Sequence, residues 1–166
     1  MQNYNYRTAT VADIEQLKSV GLNSFGQFQS QLTADNWQKF EAILTSENTY
    51  IGLLNISTCF VCEDNDKIIG MAFFLSNGNP TDVFQTDWAY LRMVGVNSAY
   101  AGKGIGRRLM EICIDHARKT NETKLALHTS EFMDAARHIY ENMGFVRLKE
   151  IDSRLGKRYW LYLLDL

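Results

Sequence analysis

The sequence predicts an α/β (α+β) fold, a mixed and mostly antiparallel central sheet flanked by helices. Three observations lead there. Strand-like runs at 58–63 and 67–75 are separated only by Asp64, Asn65 and Asp66, and two more runs at 145–149 and 158–164 close the chain. Each pair reads as neighbouring antiparallel strands joined by a short connection. Between them lie an apolar strand ending at Val96, an amphipathic helix and a strand at 124–128, which together form one βαβ unit. The order βααβββαβαββ therefore implies a mixed sheet covered by helices.

Taken in order, the residues at 4–8 alternate and form an edge strand. Thr10 and Asp13 read as a capping-box variant that opens a helix through Ile14, Leu17 and Val20. A further helical segment covers 25–50, capped by Thr33 or Asp35, with Trp37, Phe40, Ile43 and Leu44 on one stripe. Gly70, inside a strand, marks a bulge or a close approach. Residues 76–81 form a loop. The central strand carries Leu91, Met93, Val94 and Val96. The next helix buries Ile105, Leu109, Ile112, Cys113 and His116 and ends near Lys119, with Arg107/Glu111 and Asp115/Lys119 as charge pairs. His128 alternates with Leu127 and reads as a hydrogen-bonded core or sheet-face histidine. Ser130 can cap the last helix, whose stripe is Phe132, Ala136, Ile139, Tyr140 and Met143 and which Gly144 stops.

With 166 residues, 46% hydrophobic and 22% charged, the chain reads as one domain spanning 1–166. A net charge of −2 argues against a nucleic-acid partner, which requires a strongly basic face. Cys59, Cys62 and Cys113 sit in apolar runs and read as buried core thiols, with no disulfide framework and no metal site. The first residues hold no apolar signal region, and no run reaches membrane-spanning length, so the expectation is a cytoplasmic protein without a membrane partner.

The densest chemical signal is the strand–turn–helix at 91–110. Gly102, Gly104 and Gly106 lead into a helix N-terminus, where unpaired backbone N–H groups make a ready anion site. Arg107 and Arg108 fall in the first helical turn, where the macrodipole disfavours positive charge. A bound phosphate would resolve that conflict; otherwise both side chains point into water. The spacing is not that of a P-loop, because no Gly-Lys-Ser/Thr follows. It also departs from G-x-G-x-x-G, and Glu131 is a poor match for the acid a dinucleotide site needs, which disfavours a nucleotide-dependent oxidoreductase.

The stretch 96–106 instead resembles the acyl-CoA signature of the GNAT superfamily, the acetyl-CoA-dependent N-acetyltransferases, V-x-P-x-x-Arg/Gln-G-x-G-I-G/A. Ser98 stands at the proline and Ala101 at the arginine or glutamine, so Lys103, Arg107 or Arg108 would have to replace a side chain that helps hold the pyrophosphate. Ala136, Tyr140, Gly144 and Phe145 resemble the second family signature, whose leading asparagine is Met133 here. The element order is also that of the family. The resemblance spans nearly the whole chain, and its specific motifs lie between Met93 and Phe145.

The resemblance implies an acyltransferase that moves an acetyl group from acetyl-CoA to an amine, on a small molecule or a peptide, by direct attack in a ternary complex. Gly102, Lys103, Gly104, Ile105, Gly106 and Arg107 would hold the pyrophosphate. The backbone around Met93 and Val94 would face the thioester carbonyl as charge develops on it. Val94 and Val96 would pair with the pantetheine arm like an added strand, with a bulge at Gly95. Tyr140 is the implied general acid, since a thiol of pKa about 8.5 can take a proton from a tyrosine of pKa about 10 when departure and transfer are coupled. For the general base, Asp87 lies nearest to where the family often places a carboxylate, with Asp82 or a water relay equally defensible. Asp82 and Asp87 would suit a cationic amine. Phe25, Phe28 and Trp37 are implied acceptor-pocket walls. The rival reading is a non-catalytic acyl-CoA sensor of the same fold, and homodimers are frequent in the family.

Overall fold

The computed structural model describes residues 3–166, so Met1 and Gln2, which belong to the expected 1–166 span, lie outside the described residues. Among the described residues, seven strands form one sheet in the order β1-β2-β3-β4-β5-β7-β6. They are β1 (Asn5–Thr8), β2 (Thr58–Asp64), β3 (Lys67–Leu75), β4 (Ala89–Val96), β5 (Lys124–Ser130), β6 (Val146–Arg154) and β7 (Lys157–Asp165). Every neighbouring pair is antiparallel except β4 with β5, the product of the single βαβ crossover. This is the mixed, mostly antiparallel sheet that the element order implies.

Five α-helices of the described residues flank it: α1 (Ile14–Gly26), α2 (Ala34–Thr45), α3 (Glu47–Ile56), α4 (Ile105–Lys119) and α5 (Asp134–Asn142). The entry to α1 is tied to the sheet edge. The Asp13 carboxylate accepts from the Thr10 N–H at 2.8 Å, and the Arg7 guanidinium reaches both Asp13 (2.9 Å) and Glu63 on β2 (2.7 Å). Arg7 holds both carboxyls below the usual carboxylate range.

The expected helix over 25–50 is in fact three pieces. Helix α1 continues to Gly26, and Thr33 Oγ1 accepts from the Asn36 N–H at 3.2 Å to cap α2. The extended backbone of Ser46 (φ −77°, ψ 119°) then breaks the chain before α3, an element the periodicity did not separate. Ile43, expected on the apolar stripe, is 50% exposed, while Trp37 and Leu44 of the same helix are buried.

The two faces of the sheet are covered differently. On one, α4 packs Ile105, Leu109, Met110 and Cys113 against Leu91, Leu125 and Leu127. On the other, α1, α2 and α3 bring Leu17, Leu44 and Tyr50 onto Val61, Met71 and Phe73. Burying one such large apolar side chain contributes roughly 1.5–3 kcal/mol. Tyr50 satisfies its hydroxyl by donating to the Leu44 carbonyl at 2.8 Å. A third cluster, Leu75, Phe84, Tyr90, Ala126 and Leu161, lies under the loop between β3 and β4.

The cysteine and Gly70 expectations hold, whereas those for Ser130, Phe132 and the Asp115/Lys119 pair are corrected. Cys59 and Cys62 are three residues apart on one strand, which places them on opposite faces, and all three thiols are buried and unpaired. Gly70 is needed for the approach of α4, since a Cβ there would lie 3.0 Å from Ile105 and 3.1 Å from Leu109; the β2–β3 bulge falls beside it, at Cys62/Glu63. Ser130 belongs to β5 and donates to the Arg158 carbonyl at 2.7 Å, so it does not cap α5, and Phe132 precedes that helix. Glu111 takes both Arg107 (3.3 Å) and Arg108 (3.2 Å), whereas Asp115 and Lys119 form no ion pair among the described residues.

Candidate functional site

The site begins where the sheet comes apart. Strands β4 and β5 pair at Ala89↔Leu125 and Tyr90↔Ala126 and not beyond, so they diverge toward their carboxyl ends. On its other edge β4 carries a bulge. Met71 faces Gly95 and Phe73 faces Arg92, which leaves Met93 and Val94 together opposite Ala72. Met93 takes the left-handed conformation at φ +49°, a cost of about 1–3 kcal/mol for a non-glycine residue. The bulge therefore precedes Gly95. Gly95 meets a different need: a Cβ there would stand 2.8 Å from Ser24 Oγ and 3.1 Å from Ser24 Cβ. Ser24 Oγ accepts the Val96 N–H at 3.1 Å, so α1 occupies a donor that the strand-addition expectation leaves for a ligand.

The glycine turn is built as an open cradle. Gly102 (φ +75°) and Gly104 (φ +78°) are both left-handed, and a Cβ on either would meet nothing within 4 Å, so backbone angle and not packing calls for glycine. Gly106 differs. Its Cβ would touch Ile139 and Val96 at 3.7 Å, where α4 approaches α5 and β4. The Arg108 N–H donates to the Gly104 carbonyl at 3.0 Å, which leaves the N–H groups of Ile105, Gly106 and Arg107 without intrahelical acceptors. Those three residues line a cavity of about 530 Å³. The positive end of the helix dipole therefore opens onto it.

The cavity runs from the end of α1 (Ser24, Phe25) and Phe28 just beyond it, past Val94, Gly95 and Val96, to Met133 and α5 (Ala136, Tyr140). Of the residues expected at the cofactor, Val94, Val96, Gly102, Gly104, Ile105, Gly106 and Arg107 line it. Met93 does not, because its side chain packs among the α1–α3 cluster and only its backbone shapes the bulge. Lys103 lies over the Tyr100 ring at 4.9 Å and is not a lining residue. Ser98, Ala101 and Met133, the three departures from the family signatures, all line the wall. Phe25 and Phe28 also line it, whereas Trp37 is buried against Phe40. Asp87 is exposed in the loop before β4, at the opposite end of that strand from the bulge, and is not brought to the cavity.

Tyr140 is buried on α5 beside Phe145, and its hydroxyl makes no hydrogen bond among the described residues. Burial pushes its phenol well above the ordinary tyrosine range, so it keeps its proton. The open cradle of N–H groups and the largely apolar slot fit an extended ligand with a polyanionic end, the shape and charge of an acyl-CoA.

His128 has a larger part than the sequence reading gave it. It lies two residues beyond Ala126 on the same face of β5, where the strands part. Phe84 stacks on Tyr90 (4.1 Å) and on His128 (5.8 Å), and Tyr159 meets the imidazole edge-on at 5.8 Å. Phe132, which lines the cavity, in turn meets Tyr159 at 6.3 Å. The expected hydrogen bond is absent on one side, because the buried Nδ1 has no partner among the described residues. Burial first, then the nearby Arg154 and Arg92, push its pKa down to about 4. The available signal was position: in sheets with parallel strands, ligands gather at the carboxyl ends of the strands.

A helix N-terminus feeding a slot beside a bulged strand that parts from its parallel neighbour defines a protein built to hold an extended anionic ligand. The chain belongs to the Acetyltransferase (GNAT) family, which residues 27–145 match. It is 39% identical over 62 residues to N-alpha-acetyltransferase 30 of Saccharomyces cerevisiae, a match covering 37% of this chain and 35% of that protein. The chain thus spans about a third of the length of that relative. Among solved structures, the PaiA N-acetyltransferase of Thermoplasma acidophilum in complex with coenzyme A superposes with a TM-score of 0.76 at 14% identity, over 96% of this chain and 98% of that one. The ribosomal-protein-S18-alanine N-acetyltransferase of Escherichia coli gives 0.73 at 20% identity, over 98% and 94%. At these identities the likeness is one of fold.

Proposed function

We propose that this chain is an N-acetyltransferase that uses acetyl-CoA and delivers the acetyl group directly to an amine, on a small molecule or a peptide, while both are bound. The observation that carries this reading is the bare N-terminus of α4 opening into the slot beside the β4 bulge, with Tyr140 in the slot wall. Acetyl-CoA supplies the thioester. The N–H groups of Ile105, Gly106 and Arg107 hold its pyrophosphate, and the backbone at Met93 and Val94 faces the acyl carbonyl. Tyr140, kept protonated by burial, delivers a proton to the departing sulfur.

On the opposite face, His128 takes the proton of the amine, a role that its neutral ring and unpartnered Nδ1 support better than exposed Asp87. With a pKa of about 4 it is a weak base and passes the proton on to solvent. That weakness favours an α-amine over an alkylamine. At pH 7 an alkylamine of pKa 10.4 is neutral in about one molecule in 2,500, whereas a peptide α-amine of pKa near 7.8 is neutral in about one in seven. The similarity to an N-alpha-acetyltransferase supports the same choice.

Calorimetric titration with acetyl-CoA, with NAD as control, tests the site, and thiol release with a panel of amines tests the transfer. The expected results are micromolar binding of acetyl-CoA alone and thiol release that depends on acceptor. No binding of acetyl-CoA overturns the proposal. Binding without thiol release from any acceptor would establish the acyl-CoA sensor instead.

A further inference from the structure

We propose that the acceptor carries a carboxylate close to its reactive amine, and that Arg92, assisted by Arg154, receives that carboxylate on the face of the sheet that holds His128. The inference rests on the acetyl-transfer reading above and names the chemistry of its acceptor.

Arg92 follows Tyr90 by two residues on β4, so its side chain shares the face of Tyr90. Tyr90 pairs with Ala126, which places His128 on that same face. Both Arg92 and His128 lie just past the point where the strands part. Arg92 is half-buried, and among the described residues its side chain makes no hydrogen bond and no ion pair. A guanidinium carries five N–H donors in a rigid fork, and leaving all of them without an acceptor in a partly desolvated place is costly. Its geometry matches a carboxylate, which it can grip with two parallel hydrogen bonds.

Arg154, at the end of β6, adds a second positive charge. Its ion pair is with exposed Asp82, at the long distance of 3.8 Å. The two arginines feel each other, since burial first and then Arg154 lower the pKa of Arg92, and both depress that of His128. Asp82 and Asp87 are both exposed, and Asp82 is drawn to Arg154, so neither offers a buried carboxylate to a cationic acceptor. The same positive field has a chemical use. Nearby cations disfavour the protonated amine, so the charges that bind the carboxylate also bias the nucleophile toward its reactive neutral form.

The test is thiol release from acetyl-CoA with matched acceptors. One arm pairs free amino acids with their α-carboxamides. The other pairs C-terminally amidated peptides that carry Glu or Gln at the first or second position. The expected result is that acids exceed their neutral partners in kcat/KM by roughly tenfold or more in one arm, which identifies where the carboxylate resides. Arg92→Met should bring the acid-to-neutral ratio close to one, and Arg92→Lys should restore part of it, with acetyl-CoA binding measured alongside to confirm that both variants fold. Equal use of acids and neutral partners by the wild-type protein overturns the inference while leaving acetyl transfer intact. So does a loss on Arg92→Met that is the same for both members of a pair. Absence of thiol release from every acceptor overturns the transferase reading, and this inference falls with it.

Discussion

Gly95→Ala is the sharpest test of how α1 and β4 build the slot. The new Cβ would be placed 2.8 Å from Ser24 Oγ, 3.1 Å from Ser24 Cβ and 3.5 Å from the Phe25 ring. Ser24 can turn its hydroxyl away, but that breaks the 3.1 Å hydrogen bond from the Val96 N–H, and the contact with Ser24 Cβ remains. Overpacking of this kind costs about 1–3 kcal/mol, and the lost hydrogen bond about 1 kcal/mol more. Replacing glycine by alanine within a strand returns roughly 0.5–1 kcal/mol by restricting the unfolded chain. The net expectation is a destabilisation of about 1–3.5 kcal/mol, read as a lower urea midpoint at unchanged m-value. Ser24→Ala removes the nearest clashing atom, so the double variant should cost less than the sum of the two single changes. Because Ser24, Phe25 and Gly95 all line the cavity, acetyl-CoA affinity should fall along with stability. A stability change under about 0.5 kcal/mol for Gly95→Ala, or strict additivity in the double variant, would refute the proposed packing.

Two further outcomes follow from buried groups. Tyr140→Phe keeps the ring packed against Phe145 and removes only the hydroxyl, so kcat should fall at least about tenfold while acetyl-CoA affinity holds; unchanged turnover would take Tyr140 out of the chemistry. His128, with a folded pKa of about 4 against 6.5 unfolded, stabilises the fold fully above pH 6.5 and loses that contribution as the pH falls toward 4, where the folded state also takes up the proton. The full loss is about 3 kcal/mol. His116, whose pKa burial also lowers, acts in the same direction, so the contribution of His128 is the part of the pH slope that His128→Gln abolishes. An identical slope in that variant would show that His128 is no more buried when folded than when unfolded.

How much of this site could be read in advance depends on whether local pattern or tertiary contact decides each part. The glycine turn was legible because left-handed backbone at Gly102 and Gly104 is demanded locally, whatever surrounds it. The hairpin at Asp64–Asp66 was legible for the same reason, with positive φ at Asn65 and Asp66. The break at Ser46 was harder, because Trp37 and Leu44 on one side and Tyr50 and Leu53 on the other are all buried, and a continuous apolar period hides two helices that meet at an angle. The unpartnered state of Arg92 and the orphaned Nδ1 of His128 could not be read at all. Both follow from where β4 and β5 cease to pair, and that depends on the whole sheet.

Strand β4 shows why the site needs its bulge. Before the bulge, odd-numbered Ala89 and Leu91 pack toward α4, while even-numbered Tyr90 belongs to the opposite face. After it, even-numbered Val94 and Val96 pack toward α4, and Gly95 turns to Ser24 on α1. One extra residue has reversed the alternation, because a slip of one position moves every later side chain to the other face. A regular strand that kept Arg92 on the His128 face would also have kept Val94 and Val96 there, and would have lifted them off the wall of the cavity beside α4. The adjacent apolar pair Met93–Val94, at odds with strict alternation, was the trace of this in the sequence. The left-handed Met93 is thus the conformational cost at which a single strand places a charged side chain on one face and an apolar edge along the cavity on the other.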